Sequence, residues 1–173
     1  MATINTTMQA ALNEQINREM YSSYLYLAMS AYFESIDLVG FANWMRVQAQ
    51  EEDFHAKKFF DYLATRGGRV LLGAVAKPPA DWKSALDAFQ AAYLHEQKIT
   101  SSINDLVTLA VEQKDRATES LLRWFVDEQV EEEANADRII KQLELGRQAP
   151  EVLLMLDREL ATRVFTPPVA AGA

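Results

Sequence analysis

The sequence predicts an all-α fold: a bundle of four long helices, a long crossover between the second and third, and a short fifth helix at the C-terminal end. Three observations carry this reading. Glycine and proline are scarce, at six and five in 173 residues, about half the share that average usage would give. They are also clustered, at Gly40, from Gly67 to Pro79, at Gly146 and Pro150, and from Pro167 to Gly172. Between the clusters, apolar side chains recur at alternating steps of about three and four residues, the period of a helix with one buried face.

The breakers set the elements in order. We place α1 over about residues 8–36, α2 over 41–66, α3 over 82–112, α4 over 117–144 and α5 over 150–163. The break between α3 and α4 rests on the polar run Gln113-Lys114-Asp115-Arg116. Pro150 suits the first position of α5, where its missing N–H costs nothing. The α1/α2 and α3/α4 connections are short, so those pairs are antiparallel neighbours. The α2/α3 connection is about 15 residues without helical period, and at ~3.3 Å per residue it reaches ~50 Å. That exceeds the ~39 Å of a 26-residue helix, so it can cross the whole bundle and leave α2 and α3 parallel. Residues 1–165 are expected to form one domain, and the small-residue stretch 166–173 a disordered tail.

Composition narrows the chemistry. The chain has 25 acidic and 17 basic side chains, a formal charge of −8, which argues against a nucleic-acid partner and favours cations. It has no cysteine, which excludes disulfides, thiolate catalysis, cysteine-ligated zinc and iron–sulfur clusters. Any metal must be held by Glu, Asp or the two histidines, His55 and His95. No leader-like segment opens the chain and no run of ~18 apolar residues occurs, so a cytoplasmic protein with no membrane partner is expected.

A heptad stripe laid on each helix exposes the informative feature. It gives Leu12, Ile16, Glu19, Ser23, Tyr26 and Ser30 on α1, and Phe41, Met45, Gln48, Glu52, His55, Phe59 and Tyr62 on α2. On α3 it gives Leu86, Phe89, Tyr93, Glu96, Thr100, Ile103 and Val107, and on α4 Leu121, Phe125, Glu128, Glu132, Asn135 and Ile139. Each stripe is apolar or aromatic at its ends and acidic in the middle. Glu19 and Glu52 lie about 11 residues into their helices, Glu96 about 14, and Glu128 to Glu132 about 11 to 15. The carboxylates therefore meet at one level of the bundle.

Buried carboxylates need protons or cations, and the stripes contain no Lys or Arg. A multivalent cation is the natural neutraliser. Glu52 and His55, three residues apart, share one helical face, and one imidazole among several carboxylates suits iron or manganese better than magnesium or calcium. Glu from each of two helices with Glu-x-x-His from the other two is a known bundle template. Here Glu19 and Glu96 are the single glutamates and Glu52–His55 the first paired motif. The second departs, as Gln129-x-x-Glu132.

At these residues the chain resembles the ferritins, and most of all the bacterial non-haem ferritins. The segments NEQINREMYSSYLYLAMS, QAQEEDFHAKKFFDYL, YLHEQKIT and WFVDEQVEEE match in order along nearly the whole chain. The resemblance implies an iron-storage protein with a ferroxidase centre, oxidising Fe(II) with O2 or H2O2. Glu19, Glu52 and His55 would hold the first iron, and Glu52, Glu96 and Glu132 the second, with Gln129 alongside. A third iron site would fall on Glu51, Glu128 and Glu131, with Glu132 shared. Tyr26 and Trp124 match aromatics close to the centre in that family, and Tyr26 is a candidate for a redox or supporting role. The resemblance further implies a hollow homo-oligomeric shell of 24 subunits with octahedral symmetry, holding a ferric mineral, with α5 near its four-fold axis. No haem is expected: Asp53 follows the bridging glutamate where a haem-binding relative would carry methionine, and α4 lacks the second histidine.

Two other readings stay open at this stage. One is a helical shell or scaffold without redox chemistry. The other is a di-iron oxidase acting on an organic substrate. His95 falls off the α3 stripe and reads as a surface or subunit-contact residue, and Glu133 as a solvated one.

Overall fold

The computed structural model describes residues 3–147 and 149–167; of the expected tail, residues 168–173 lie outside them. The described residues form five helices, α1 Thr6–Ser35, α2 Val39–Thr65, α3 Ala85–Glu112, α4 Arg116–Leu145 and α5 Pro150–Leu160. The all-α bundle expected from the sequence is borne out, with α5 ending three residues earlier than the spacing suggested.

Side chains cap three of the long helices. Asn5 accepts from the Thr7 amide at 2.8 Å, Ser84 from Asp87 at 3.1 Å and Asp115 from Thr118 at 3.2 Å. Each satisfies an amide that the helix itself leaves without a partner. The two tight turns are made by non-glycine residues in the left-handed region, Asp37 at φ 60° and Lys114 at φ 56°. Gly40, read from the sequence as the α1/α2 break, lies instead in the first turn of α2. Its reason is close approach: a Cβ there would sit 1.6 Å from the Asp157 main-chain oxygen of α5.

That approach supplies a cap from elsewhere in the chain. The residue preceding α2 is Leu38, which has no side-chain oxygen to offer. Asp157 Oδ1 takes the place, accepting from the Gly40 and Phe41 amides at 2.7 and 3.1 Å. In return, Asn43 Nδ2 donates to the main-chain oxygens of Leu160, Ala161 and Arg163 at the end of α5, at 3.0–3.3 Å. α5 packs on its own bundle through buried Leu156 and Leu160, with Val152 and Leu153 against the same core, and leaves Leu154 and Met155 exposed.

The crossover runs along α1. Gln9 and Asn13 accept from the Arg69 and Leu71 amides at 2.8 and 2.7 Å, and Asn17 donates to the Ala74 oxygen at 3.4 Å. Trp82 then meets Tyr32 edge-on, with ring centroids 5.4 Å apart. The segment thus climbs from the start of α1 almost to its end, and α3 starts beside the start of α2, where Phe89 packs on Phe41. α2 and α3 are parallel, the arrangement that the linker length allowed. Ser23 and Ser30 stitch α1 to α2 by donating to the Ala49 and Ala42 oxygens at 2.8 and 2.9 Å.

The apolar core comes in two bodies. One, around Met29, Phe33, Phe41, Trp44, Met45 and Phe89, fills the end where α5 docks. The other, around Met8, Leu12, Ile16, Phe59, Leu63 and Phe125, fills the opposite end. The buried Gln15, Glu19, Gln48, Glu52, His55, Glu96, Gln129 and Glu132 form the layer between them.

The α2 cap is open to test. Asp157→Ala leaves two amides at the start of α2 without their acceptor and is expected to cost about 1–2 kcal/mol. Denaturant unfolding of the variant against the parent measures it, and an unchanged midpoint would remove Asp157 from this role.

Candidate metal centre

The polar layer is nearly closed to solvent. Glu19, Glu52, His55, Glu96, Gln129 and Glu132 are each no more than 4% exposed. Glu19, Glu52 and His55 each bring one ligating atom within 4.8 Å of the other two, and His55, Glu128 and Glu132 do the same. His55 belongs to both groups, and its Nδ1 lies 3.5 Å from Glu52 Oε2. Glu19 Oε2 and Glu52 Oε2 are buried with no hydrogen-bond partner. A buried acceptor left this way costs roughly 1–3 kcal/mol, more when charged, and a cation between the two would satisfy both. Carboxylate oxygens with one imidazole fit a hard to borderline divalent metal such as iron or manganese.

Electrostatics point the same way. Burial, then the neighbouring Glu52, pushes the Glu19 carboxyl well above its ordinary value. Burial and Glu96 do the same for Glu52, and burial with Glu96 and Glu52 for Glu132. Glu96 is raised by burial and partly relieved by hydrogen bonds from Tyr26 and Gln129. Burial beside Glu96 raises the Tyr26 phenol. This is the pattern of like charges confined in low dielectric.

Glu19, Glu96 and Glu132 each have a positioning partner, and of these partners Gln15 and Gln129 lie off the stripes. Gln15 Nε2 donates to Glu19 Oε1 at 2.7 Å, and Gln48 Nε2 to Glu132 Oε2 at 2.5 Å. Tyr26 donates to Glu96 Oε1, and Gln129 Nε2 to Glu96 Oε2 at 3.2 Å. Gln48 stood on the α2 stripe with no role assigned. Gln15 stands one turn before Glu19, a spacing that places both on one face.

The site residues expected from the sequence are placed as follows. Glu19, Glu52 and His55 come together as the first group. Glu132 joins His55, but with Glu128 as third member. Among the described residues, Glu96 belongs to neither group; its two oxygens accept from Tyr26 and Gln129. Gln129, one step off the heptad stripe, is buried, and Glu128, on the stripe, is half-buried. Of the residues assigned to the third site, Glu128 and the shared Glu132 are gathered, with His55, while Glu51 and Glu131 fall outside that group. Glu131 is exposed, and Glu51 Oε2 is held at 2.5 Å by Arg163 Nη2. Trp124 is beside the centre as expected, edge-on to His55 at 5.4 Å, with Lys58 Nζ 3.6 Å above its ring.

His95 departs from its surface reading. Its Nε2 is 2.7 Å from Ser22 Oγ, and the ring lies 5.7 and 6.3 Å from those of Tyr21 and Tyr26. Burial, then Lys98, pushes it down to about 4, so it is neutral at neutral pH. It faces a cleft of about 640 Å³ between α1, α3 and the crossover, bordered also by Tyr21 and Trp82.

A four-helix bundle with a carboxylate layer at mid-length and one Glu-x-x-His pair defines a class of helical protein whose carboxylates could hold a metal ion. The comparisons with known proteins agree. The ferritin-like domain profile matches residues 9–146. The chain is 40% identical over 162 residues to a bacterial non-heme ferritin of Staphylococcus saprophyticus, covering 94% of this chain and 97% of the relative. It is 40% identical over 160 residues to one of Bacteroides fragilis, covering 92% and 99%. Among solved structures it is similar to an open pore ferritin from the hyperthermophilic archaeon Archaeoglobus fulgidus, with TM-score 0.93, 52% identity, and 94% and 100% coverage. A closed form of that ferritin, engineered by mutagenesis, matches with TM-score 0.94, 53% identity, and 95% and 100% coverage. The chain belongs to the ferritin family.

The raised carboxyls set a pH dependence. Below about 4.5, the ordinary glutamate value, folded and unfolded chains both hold these protons. Above it the unfolded chain releases them while the folded layer keeps them, so the folded state loses their stabilising contribution as pH rises through the raised values. Metal-free protein is therefore expected to melt at lower temperature as pH goes from about 5 to 8, and Glu52→Gln to flatten that slope. A flat profile in the parent, or the same slope in the variant, would contradict the assignment.

Proposed function

We propose that the chain is an iron-storage ferritin with ferroxidase activity. The observation that carries this most is the pair of orphaned buried oxygens, Glu19 Oε2 and Glu52 Oε2, in one compact group with His55. Family membership and the ferritin relatives support the same reading. Fe(II) is the substrate. Glu19, Glu52 and His55 take one ion. Glu52, Glu96 and Glu132 take the second, with Gln129 positioning Glu96. Support for the second set is that the charge of Glu96 acts on both Glu52 and Glu132.

Two Fe(II) ions give up one electron each. Together these reduce O2 with two protons to H2O2, or H2O2 with two protons to two waters. Carboxylate oxygens favour the harder Fe(III) and so favour electron loss. Tyr26 hydrogen-bonds Glu96 and holds that carboxylate in a set direction, and Gln48 does so for Glu132. The half-buried Glu128 and the exposed Glu131 continue the acidic surface outward from the layer, a route along which product leaves and by which cations are drawn in.

The protein acts as a cytoplasmic homo-oligomer, a hollow shell of 24 copies around a ferric mineral, and residues 1–165 act as a single domain. Exposed Tyr24 and Leu27 on α1, Leu71 and Leu72 on the crossover, and Leu154 and Met155 on α5 are apolar side chains that such contacts would cover. Among the described residues, no helix is long and apolar enough to cross a membrane.

Stopped-flow absorbance after mixing metal-free protein with Fe(II) and O2 tests the activity. Glu52→Ala and His55→Ala are each expected to slow the initial oxidation by at least about tenfold, since both remove a direct ligand and even supporting partners of a ligand carry effects of that size. Parent-like rates in both would overturn the assignment.

A further inference from the structure

The chain after α5 lies along α2 over the metal layer, held at several points. Asn43 fixes its start, through the oxygens of Leu160, Ala161 and Arg163. At its far end Phe165 packs 6.4 Å from Phe54, itself 6.1 Å from Trp124. Arg163 lies between these points. Its guanidinium stacks 4.5 Å over the Trp44 ring. Nη1 donates to the Trp44 main-chain oxygen at 3.4 Å and to Gln48 Oε1 at 2.8 Å, and Nη2 donates to Glu51 Oε2 at 2.5 Å. Trp44, Gln48 and Glu51 follow at steps of four and three on one face of α2, so a single planar fork spans two turns of helix.

Two consequences follow from the geometry. The Gln48 amide has its oxygen toward the guanidinium, and flipping it would set NH2 against Arg163. Its donor end is therefore turned toward Glu132, which it reaches at 2.5 Å. Arg163 thereby fixes a hydrogen bond on a metal-group carboxylate that it does not itself touch. Second, Glu51 stands one turn before His55 on α2, a spacing that puts both on one helical face, so that without Arg163 its carboxylate is placed to extend the His55–Glu128–Glu132 group. The Arg163 and Glu51 side chains are only 21% and 22% exposed, so water screens the pair weakly. A guanidinium keeps its charge at any working pH, so only a competing cation displaces it.

We propose that Arg163 is an internal cation at the Glu51 corner of the metal layer, a positioning residue that sets how readily a further metal ion binds there. A divalent ion entering between Glu51 and Glu128 must displace the guanidinium, and doing so loosens residues 161–165 from α2. This rests on the iron-centre reading above and adds to it a chain-encoded competitor coupled to the C-terminal segment.

Anaerobic calorimetric titration of the assembled protein with Zn(II), a redox-inert probe, tests this. The parent is expected to take two ions tightly and a third weakly. Arg163→Gln is expected to tighten the third step roughly tenfold, the effect of removing one competing charge-assisted hydrogen bond. Arg163→Lys keeps the competing charge but loses the planar fork, so it is expected to tighten the third step by less than Arg163→Gln does. Adding Glu51→Gln to Arg163→Gln is expected to abolish the gain. In parallel, hydrogen exchange at residues 161–165 is expected to rise only once the parent is loaded beyond two ions. An unchanged third step in Arg163→Gln, an equal gain in Arg163→Lys, or a gain that survives without Glu51 would each overturn the inference while leaving the centre intact. Absence of the two tight ions in the parent would overturn the iron-centre reading and this inference with it.

Discussion

Four glutamates held out of water at one depth of a helix bundle repel one another, and much of the surrounding structure answers to that repulsion. Burial raises Glu19, Glu52, Glu96 and Glu132 together. The groups gathered around them are neutral donors, Gln15, Gln48, Gln129 and Tyr26. Gln15 holds Glu19, Gln48 holds Glu132, and Gln129 and Tyr26 hold Glu96, none of them bringing a positive charge. Protons relieve the repulsion in the metal-free layer, the state that the raised carboxyls describe, and a metal bound there would take over that task.

The split core follows from the same constraint. A layer that must stay polar at mid-length cannot contribute apolar packing, so the two ends carry it. Phe59 and Phe125 stack at 3.9 Å on one side of the layer, and Phe33 and Phe41 at 5.2 Å on the other. Both bodies draw residues from all four long helices. This fixes the helices relative to one another on both sides of the site, the rigid support that a set of directional ligands requires.

Much of this was legible in the sequence, and the misses have physical causes. The helices could be read because breakers fall only at their ends, and the parallel run of α2 and α3 because linker length admits it. The carboxylate level could be read because Glu19, Glu52 and Glu96 interrupt apolar stripes at similar depth. The α4 stripe misses by phase rather than period: the buried positions Thr118, Leu122, Phe125, Gln129, Glu132, Ala136, Ile139 and Leu143 keep the seven-residue repeat but step four rather than three residues on from Phe125. Either step is compatible with a helix face, and the structure's choice puts Gln129 inside and Glu128 at the edge. Gly40 was misread as a turn because a glycine demanded by a distant close approach looks the same in sequence as one demanded by φ. Arg163 left no signal, since its partners Gln48 and Glu51 lie more than a hundred residues earlier. His95 was set outside by the stripe, whereas a half-buried ring bonded to Ser22 has a place in a cleft wall that no periodicity describes.

The reciprocal capping of α2 and α5 has a consequence for how the sequence can change over time. Asp157 serves the start of α2 and Asn43 serves the end of α5, while Gly40 makes room for the contact. Each position constrains substitution in its own way: losing Asp157 strands the Gly40 and Phe41 amides, losing Asn43 strands the oxygens of Leu160, Ala161 and Arg163, and any side chain at position 40 collides with the Asp157 main chain. The start of the second helix therefore accepts few exchanges for reasons that lie in the C-terminal segment, although nearly the whole bundle separates them along the chain.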